Sequence, residues 1–134
     1  MPSVKSSLKF STIEGCFWAF MFGFGQNYLS ALAVFLGYTA LQISILGSFP
    51  LFIGSFFQLF SSRLLKIFKS TKKFVVYLSY FQSFLWIGLI ALLYFEMGFM
   101  ALFIWFMIFF VTDSLISPVW TSWMGYLVPK SRRG

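Results

Sequence analysis

Residues 98–122 read GFMALFIWFMIFFVTDSLISPVWTS, an apolar stretch with one charged residue, Asp113. Twelve of these residues are Leu, Ile, Val or Phe, and none is Lys or Arg. About 20 apolar residues, each rising about 1.5 Å, are enough for a helix to cross the hydrocarbon core of a bilayer. A helix satisfies its own backbone hydrogen bonds in lipid, so this stretch predicts a transmembrane helix despite its many Phe and β-branched residues.

The composition of the whole 134-residue chain agrees with a location in the membrane. Hydrophobic residues make up 60% of the chain and charged residues 10%, whereas a soluble domain carries about 25% charged residues. Three further apolar stretches have spanning length. The sequence therefore predicts an all-α integral membrane protein with one domain, residues 1–134, and four transmembrane helices at 12–36, 40–60, 74–95 and 98–122.

The connections between these helices predict their orientation. Residues 37–39 and 96–97 are too short for more than tight turns, and residues 61–73 form a longer polar loop. All ten Lys and Arg residues lie before the first helix, in the long loop or after the fourth helix, whereas Glu96 lies in a tight turn. By the positive-inside rule, both termini and the long loop are expected in the cytoplasm.

The net charge of +7 does not indicate a nucleic-acid partner, because the basic residues are separated into clusters by the apolar stretches. The lipid bilayer is the expected partner. The basic loop is interpreted first as a topology signal, and second as a contact for anionic lipids.

The titratable residues exclude much of enzyme chemistry. The chain has no His, one Cys (Cys16) and three carboxylates (Glu14, Glu96 and Asp113). An intrachain disulfide, a His/Cys metal centre and a His-based triad are therefore impossible. No nucleophile–base pair is visible, and we expect neither an enzyme nor a cofactor.

The first predicted helix carries a polar face. At 100° per residue, Gln26, Asn27 and Ser30 fall in one sector, together with Gly23. In lipid such a face should turn toward protein or a water-filled cavity. It either lines a solute pathway or forms interhelical hydrogen bonds that only hold the bundle together, and the residues do not decide between these two interpretations.

Asp113 is the most informative residue of the fourth predicted helix. It lies about 13 Å from the cytoplasmic end, on the same helical face as Ser117. A central Asp costs roughly 3 kcal/mol on the insertion scale, and the twelve apolar residues offset this with roughly 4–7 kcal/mol. Asp113 is expected to be protonated, to bind a cationic substrate, or to pair with helices beyond this chain, since no Lys or Arg lies in any predicted helix.

Asp113 is thus expected to line a transport pathway, the alternative being a hydrogen bond to the polar face of the first helix. Glu14 is expected either to form an ion pair with the basic loop or to couple transport to protons. The third predicted helix is almost wholly apolar apart from Gln82, so it is expected to be an outer wall. On the second, Ala40, Ser44 and Ser48 form a row of small residues that would let another helix approach closely.

Two stretches resemble bacterial transporters of the major facilitator superfamily, at the start of their N-terminal half. The first covers residues 14–65 and includes ISILGSFP at 43–50; the second is SPVWTSWMGYLVPKSRRG at 117–134. The loop between the second and third helices keeps Arg63 and a basic run, but lacks the Gly and Asp that this family often has there. The resemblance covers nearly the whole chain.

This resemblance implies a secondary transporter that moves a small solute across the bacterial inner membrane by alternating access between two six-helix halves. It implies that the first and fourth helices line the cavity, that the third faces lipid, and that Arg63 belongs to the cytoplasmic gate. Twelve helices need about 240 residues before any loops. The chain is therefore expected to be a fragment that requires further helices to complete its site, with the substrate unknown and protons as a possible second solute.

Two other functions are compatible with the same residues. One is a complete four-helix multidrug exporter that acts as an oligomer, in which Glu14 would be the membrane glutamate. The other is a membrane scaffold subunit that does not transport, with the small-residue row of the second helix as its docking face.

Overall fold

A computed structural model describes residues 4–127, and over that range the chain is helical with short connections and no strand. Its six α-helices are α1 (Val4–Phe24), α2 (Leu29–Phe35), α3 (Ala40–Gln58), α4 (Ser61–Phe68), α5 (Thr71–Tyr94) and α6 (Phe99–Leu127). A short 3₁₀ turn, Gln26–Tyr28, separates α1 from α2.

Three helices, α3, α5 and α6, are long and apolar enough to cross a membrane. They confirm three of the four predicted spans, with ends that differ by a few residues. The longest helix, α6, packs against both α3 and α5. Large apolar side chains such as Phe52, Phe84 and Ile104 remain more than half exposed. That outward apolar surface suits lipid, and the chain has the architecture of a multi-pass membrane protein.

The first predicted helix, 12–36, is not one continuous helix in the structure. The helix begins earlier, at Val4, and ends at Phe24, and the chain continues through the 3₁₀ turn into the short α2. Gly25 precedes the turn, and glycine in a helix interior costs about 1 kcal/mol relative to alanine. Neither α1 nor α2 is among the three spanning helices of the described residues, so the fourth transmembrane helix stays a prediction.

The connection 61–73 also differs from the expected polar loop. Residues Ser61–Phe68 form the helix α4, whose Leu64 and Leu65 pack against a buried cluster of Phe74, Val75 and Val119. Leu64 and Leu65 therefore pack α4 against the bundle, while the basic side chains of α4 remain exposed. The loop prediction was wrong here because it weighed charge and overlooked the apolar residues between the charges.

The predicted tight turns are present, and both follow helix ends of the same kind. After α2, Gly37 has a φ of +77°, and the amides of Gly37 and Tyr38 donate to the carbonyls of Val34 and Ala33. After α5, Glu96 has a φ of +48°, and the amides of Glu96 and Met97 donate to Leu93 and Leu92. These are Schellman motifs, in which the left-handed residue is usually glycine.

The predicted small-residue row on α3 lies on an exposed face in the described part of the chain. Ala40, Ser44 and Ser48 are exposed, and the row that α3 buries is instead Leu46, Pro50 and Gly54. At Gly54 a Cβ atom would lie 2.5 Å from Ser114 Oγ and 3.0 Å from the carbonyl oxygen of Phe110. The two helices α3 and α6 therefore approach closely at Gly54. This glycine lies on a different face of α3 from the predicted small-residue row.

The basic side chains of the described residues gather at one end of the bundle. The start of α1 reaches the end of α6, where Ser11 Oγ donates to Met124 Sδ at 2.9 Å. The start of α5 joins them, because Phe74 and Val75 pack with Val119. Lys130, Arg132 and Arg133 lie outside the described residues, as does the side chain of Lys5. Glu96 lies at the opposite end, in the turn between α5 and α6.

Candidate functional site

The intramembrane carboxylate Asp113 is held by a neighbouring helix. Gln82 Nε2 on α5 donates to Asp113 Oδ1 on α6 at 3.1 Å. Gln82 is 6% exposed, and Asp113 is partly buried. Within residues 4–127 Asp113 makes no ion pair and no second hydrogen bond. One carboxylate oxygen is therefore held by Gln82, and the other has no partner among the described residues.

The residues that flank Asp113 along α6 hold the helix in place. Thr112 is buried, and its hydroxyl donates within α6 to the Ile108 carbonyl oxygen at 2.7 Å, so it does not compete for the carboxylate. Ser114 lies against Gly54 of α3. Asp113 thus sits between a contact with α5 and the closest approach of α3, and both contacts limit the rotation of α6.

An aromatic layer closes the site one turn away. Trp86 follows Gln82 by four residues on α5, and Phe109 precedes Asp113 by four on α6, so each pair shares a helix face. The rings of Trp86 and Phe109 are 5.4 Å apart, and Trp105 stacks on Phe109 at 5.0 Å. Phe109 is fully buried. This layer separates the polar pair from the end of the bundle that carries Glu96.

The helix break between α1 and α2 lies against this aromatic layer. A Cβ atom on Gly25 would be 2.8 Å from Trp86 Cη2, so only glycine fits there without movement. Two buried polar atoms near the break have no hydrogen-bond partner among the residues described, Gln26 Oε1 and Trp86 Nε1. Trp105, by contrast, donates its Nε1–H to the Leu85 carbonyl oxygen at 2.7 Å. Unpaired buried polar groups are rare in native proteins and each costs about 1–3 kcal/mol.

The predicted site residues are only partly brought together. Gln26 is partly buried near the aromatic layer, whereas Asn27 and Ser30 are exposed, so they do not form one shared lining with it. Ser117 is exposed, and its carbonyl oxygen accepts from Thr121 at 2.9 Å. The alternative for Asp113, a hydrogen bond to the polar face of the first predicted helix, is not found in the described residues, where the partner of Asp113 is Gln82.

The two candidates for coupling and gating lie away from the pair. Glu14 is exposed on α1. Arg63 is exposed on α4, with its guanidinium 5.7 Å from the centre of the Phe60 ring, a cation–π contact. Neither forms an ion pair within the described part of the chain, so the expected pairing of Glu14 with the basic segment is absent there.

Sequence reasoning missed Gln82 as the partner of Asp113 and Trp86 as a neighbour of the break. The helix that carries both was expected to be an outer wall, and its other face does remain exposed, as at Tyr80 and Phe84. A signal for Gln82 existed, because it is the one carboxamide in an otherwise apolar span and a buried carboxamide needs a partner.

Comparison of the chain with known protein families, with curated proteins and with solved structures found no match. The resemblance to facilitator transporters rests on the motif residues alone.

Proposed function

We propose that this chain is part of a membrane transport protein and that its solute pathway passes Asp113. The observation that carries the proposal is a carboxylate in a spanning helix, bound on one oxygen by Gln82 and unpaired by any cation in the described residues. Ionisable groups at membrane depth are costly and typically serve ion or solute pathways.

The second support is the polar helix break beside the aromatic layer. Discontinuous helices are a feature of secondary transporters, where unwound backbone and polar side chains face the substrate. Gln26 and Trp86 offer a buried acceptor and a buried donor close to such a break. A solute that reaches Asp113 from the Glu96 end has to displace the aromatic layer, which gives the pathway a barrier that an alternating-access movement would open.

We further propose that the basic end of the bundle faces the cytoplasm of a bacterial cell and that additional helices complete the pathway. The positive-inside rule supports the orientation. The resemblance in residues 14–65 and 117–134 supports a facilitator-type mechanism.

The test is solute flux in membrane vesicles from cells that express this chain together with the additional helices that complete its pathway. Uptake of radiolabelled small amines, sugars, amino acids and organic anions into these vesicles would be compared with uptake into vesicles that lack the chain. We expect at least one solute to produce flux that Asp113→Asn reduces about tenfold or more, with Asp113→Glu retaining part of it. Wild-type flux from an equally abundant, membrane-inserted Asp113→Asn variant would refute the pathway assignment.

A further inference from the structure

A second feature lies at the end of the bundle opposite the basic residues. A cavity of about 390 Å³ opens there between the end of α2 and the turn that joins α5 to α6. Leu36, Leu92, Leu93 and Leu102 contribute apolar walls. Small-molecule sites are commonly clefts of about 300–1,000 Å³ with mostly apolar walls and a few polar groups.

Glu96 is the one charged residue among those that line this cavity, and its side chain is exposed. Glu96 is the only charged residue between Lys73 and Asp113 in the sequence. It forms no salt bridge within residues 4–127, and the described Lys and Arg side chains lie on α1, on α4 and near the start of α5, at the opposite end. A cation entering the cavity would therefore meet an acidic residue that none of the described Lys and Arg side chains neutralises.

The backbone conformation of Glu96 belongs to the Schellman motif that ends α5. Its φ of +48° is left-handed, a conformation that favours glycine, and the equivalent position after α2 is Gly37. Lys69, after α4, is the other residue besides glycine with positive φ in the part of the chain that is described. A Glu at this position costs stability that a Gly would not.

An aromatic ring also borders the cavity. Tyr38 is partly buried in its wall and is held edge-on against Phe99, with the ring centres 5.3 Å apart. Tyrosine faces attract quaternary and primary ammonium groups. The cavity thus combines a carboxylate, an aromatic ring and leucine walls.

We propose that this cavity is a binding site for amphiphilic organic cations, molecules with an ammonium group and an apolar body. Glu96 binds the cationic group, Tyr38 adds a cation–π contact, and the leucines take the apolar part. The site is separate from the Asp113–Gln82 pair, and binding to it does not depend on whether the chain transports anything.

Equilibrium binding of benzyltrimethylammonium to the full chain in phosphatidylcholine nanodiscs tests the proposal. 3-Phenylpropionate, an anion of similar size, is the control ligand. We expect the cation to bind at least tenfold more tightly than the anion, and Glu96→Gln to weaken cation binding at least tenfold. Glu96→Asp keeps the charge and should bind within a few-fold of wild type.

Glu96→Gly distinguishes loss of the negative charge from loss of folding stability, because glycine adopts the left-handed backbone conformation without strain. This variant should unfold at a temperature equal to or above that of wild type and still lose cation binding at least tenfold. Equal affinity for the cation in wild type and in Glu96→Gln or Glu96→Gly would overturn the proposal, as would equal affinity of the wild type for the anion. The binding measurement does not depend on solute flux, so neither outcome decides the transport proposal, which the flux experiment tests separately.

Discussion

The side chain of Asp113 has one hydrogen-bond partner in the described residues, Gln82. Gln82 Nε2 donates to only one of its oxygens, at 3.1 Å. A carboxamide supplies a donor without supplying a charge, so Gln82 satisfies one oxygen of Asp113 without neutralising the carboxylate. A lysine in place of Gln82 would have neutralised it.

The coupling between the two side chains is measurable. In a double-mutant cycle with Gln82→Leu and Asp113→Leu, each of which removes the hydrogen bond, we expect a coupling of about 0.6–1.7 kcal/mol in the free energy of unfolding, the range for interhelical hydrogen bonds in membranes. Unfolding in mixed micelles would measure it.

Ser83→Ala is the matched control for this cycle, because Ser83 is exposed on the same helix and its hydroxyl donates to the Ser79 carbonyl oxygen. A cycle of Ser83→Ala with Asp113→Leu should give no coupling. If both cycles gave the same value, the hydrogen bond between Gln82 and Asp113 would not be the cause.

Among the helices, the crossing of α3 with α6 depends on a single glycine. Leu46, Pro50 and Gly54 lie on the buried face of α3, and Gly54 leaves room for Ser114. In membranes, helices associate through close packing of small residues, since apolar side chains gain little by leaving lipid. The position of Ser114 beside Asp113 then links this packing to the candidate site.

Two glycines of the same helix give a comparison of packed and open positions. A Cβ on Gly54 would meet Ser114 Oγ at 2.5 Å, whereas a Cβ on Gly47 would meet nothing within 4 Å. Gly54→Ala should therefore destabilise the bundle by about 1–3 kcal/mol, the usual cost of overpacking. Gly47→Ala should be neutral or stabilising, because alanine favours helix. Equal effects of the two substitutions on unfolding in micelles would contradict this crossing.

The charged residues of the molecule are distributed unevenly between the two ends of the bundle. Described basic side chains lie at one end, and Glu96 lies at the other. The termini of α1 and α6 meet at the basic end through Ser11 and Met124. An arrangement of this kind has one preferred orientation in a membrane under the positive-inside rule.

Cysteine labelling in intact cells tests that orientation. In a Cys16→Ser background, Met97→Cys should react with a membrane-impermeant maleimide from outside, because Met97 is exposed at the Glu96 end. Lys66→Cys should react only after the cells are permeabilised. The reverse pattern would show that the basic end faces outward and would remove the support for a cytoplasmic gate at Arg63.

The sequence by itself determined the helical class, three spanning helices to within a few residues, and the two tight turns. These follow from local properties: a spanning helix needs only enough apolar residues, because it forms its backbone hydrogen bonds internally. The sequence also singled out Asp113, since a charge in an apolar run is visible without a structure. It predicted a polar loop where α4 lies and one continuous helix where the chain breaks at Gly25.

Only the tertiary structure decided which side chains meet. The partner of Asp113 is 31 positions away, on a helix expected to be a wall. The buried face of α3 is not the face that carries its small-residue row. It is the face that carries Gly54, because Gly54 leaves room for Ser114 of α6. Rotating a helix about its own axis does not change the hydropathy of its sequence, so hydropathy cannot predict which face meets a neighbour. The pairing of Gln82 with Asp113 and the contact of Trp86 with Gly25 therefore depend on packing.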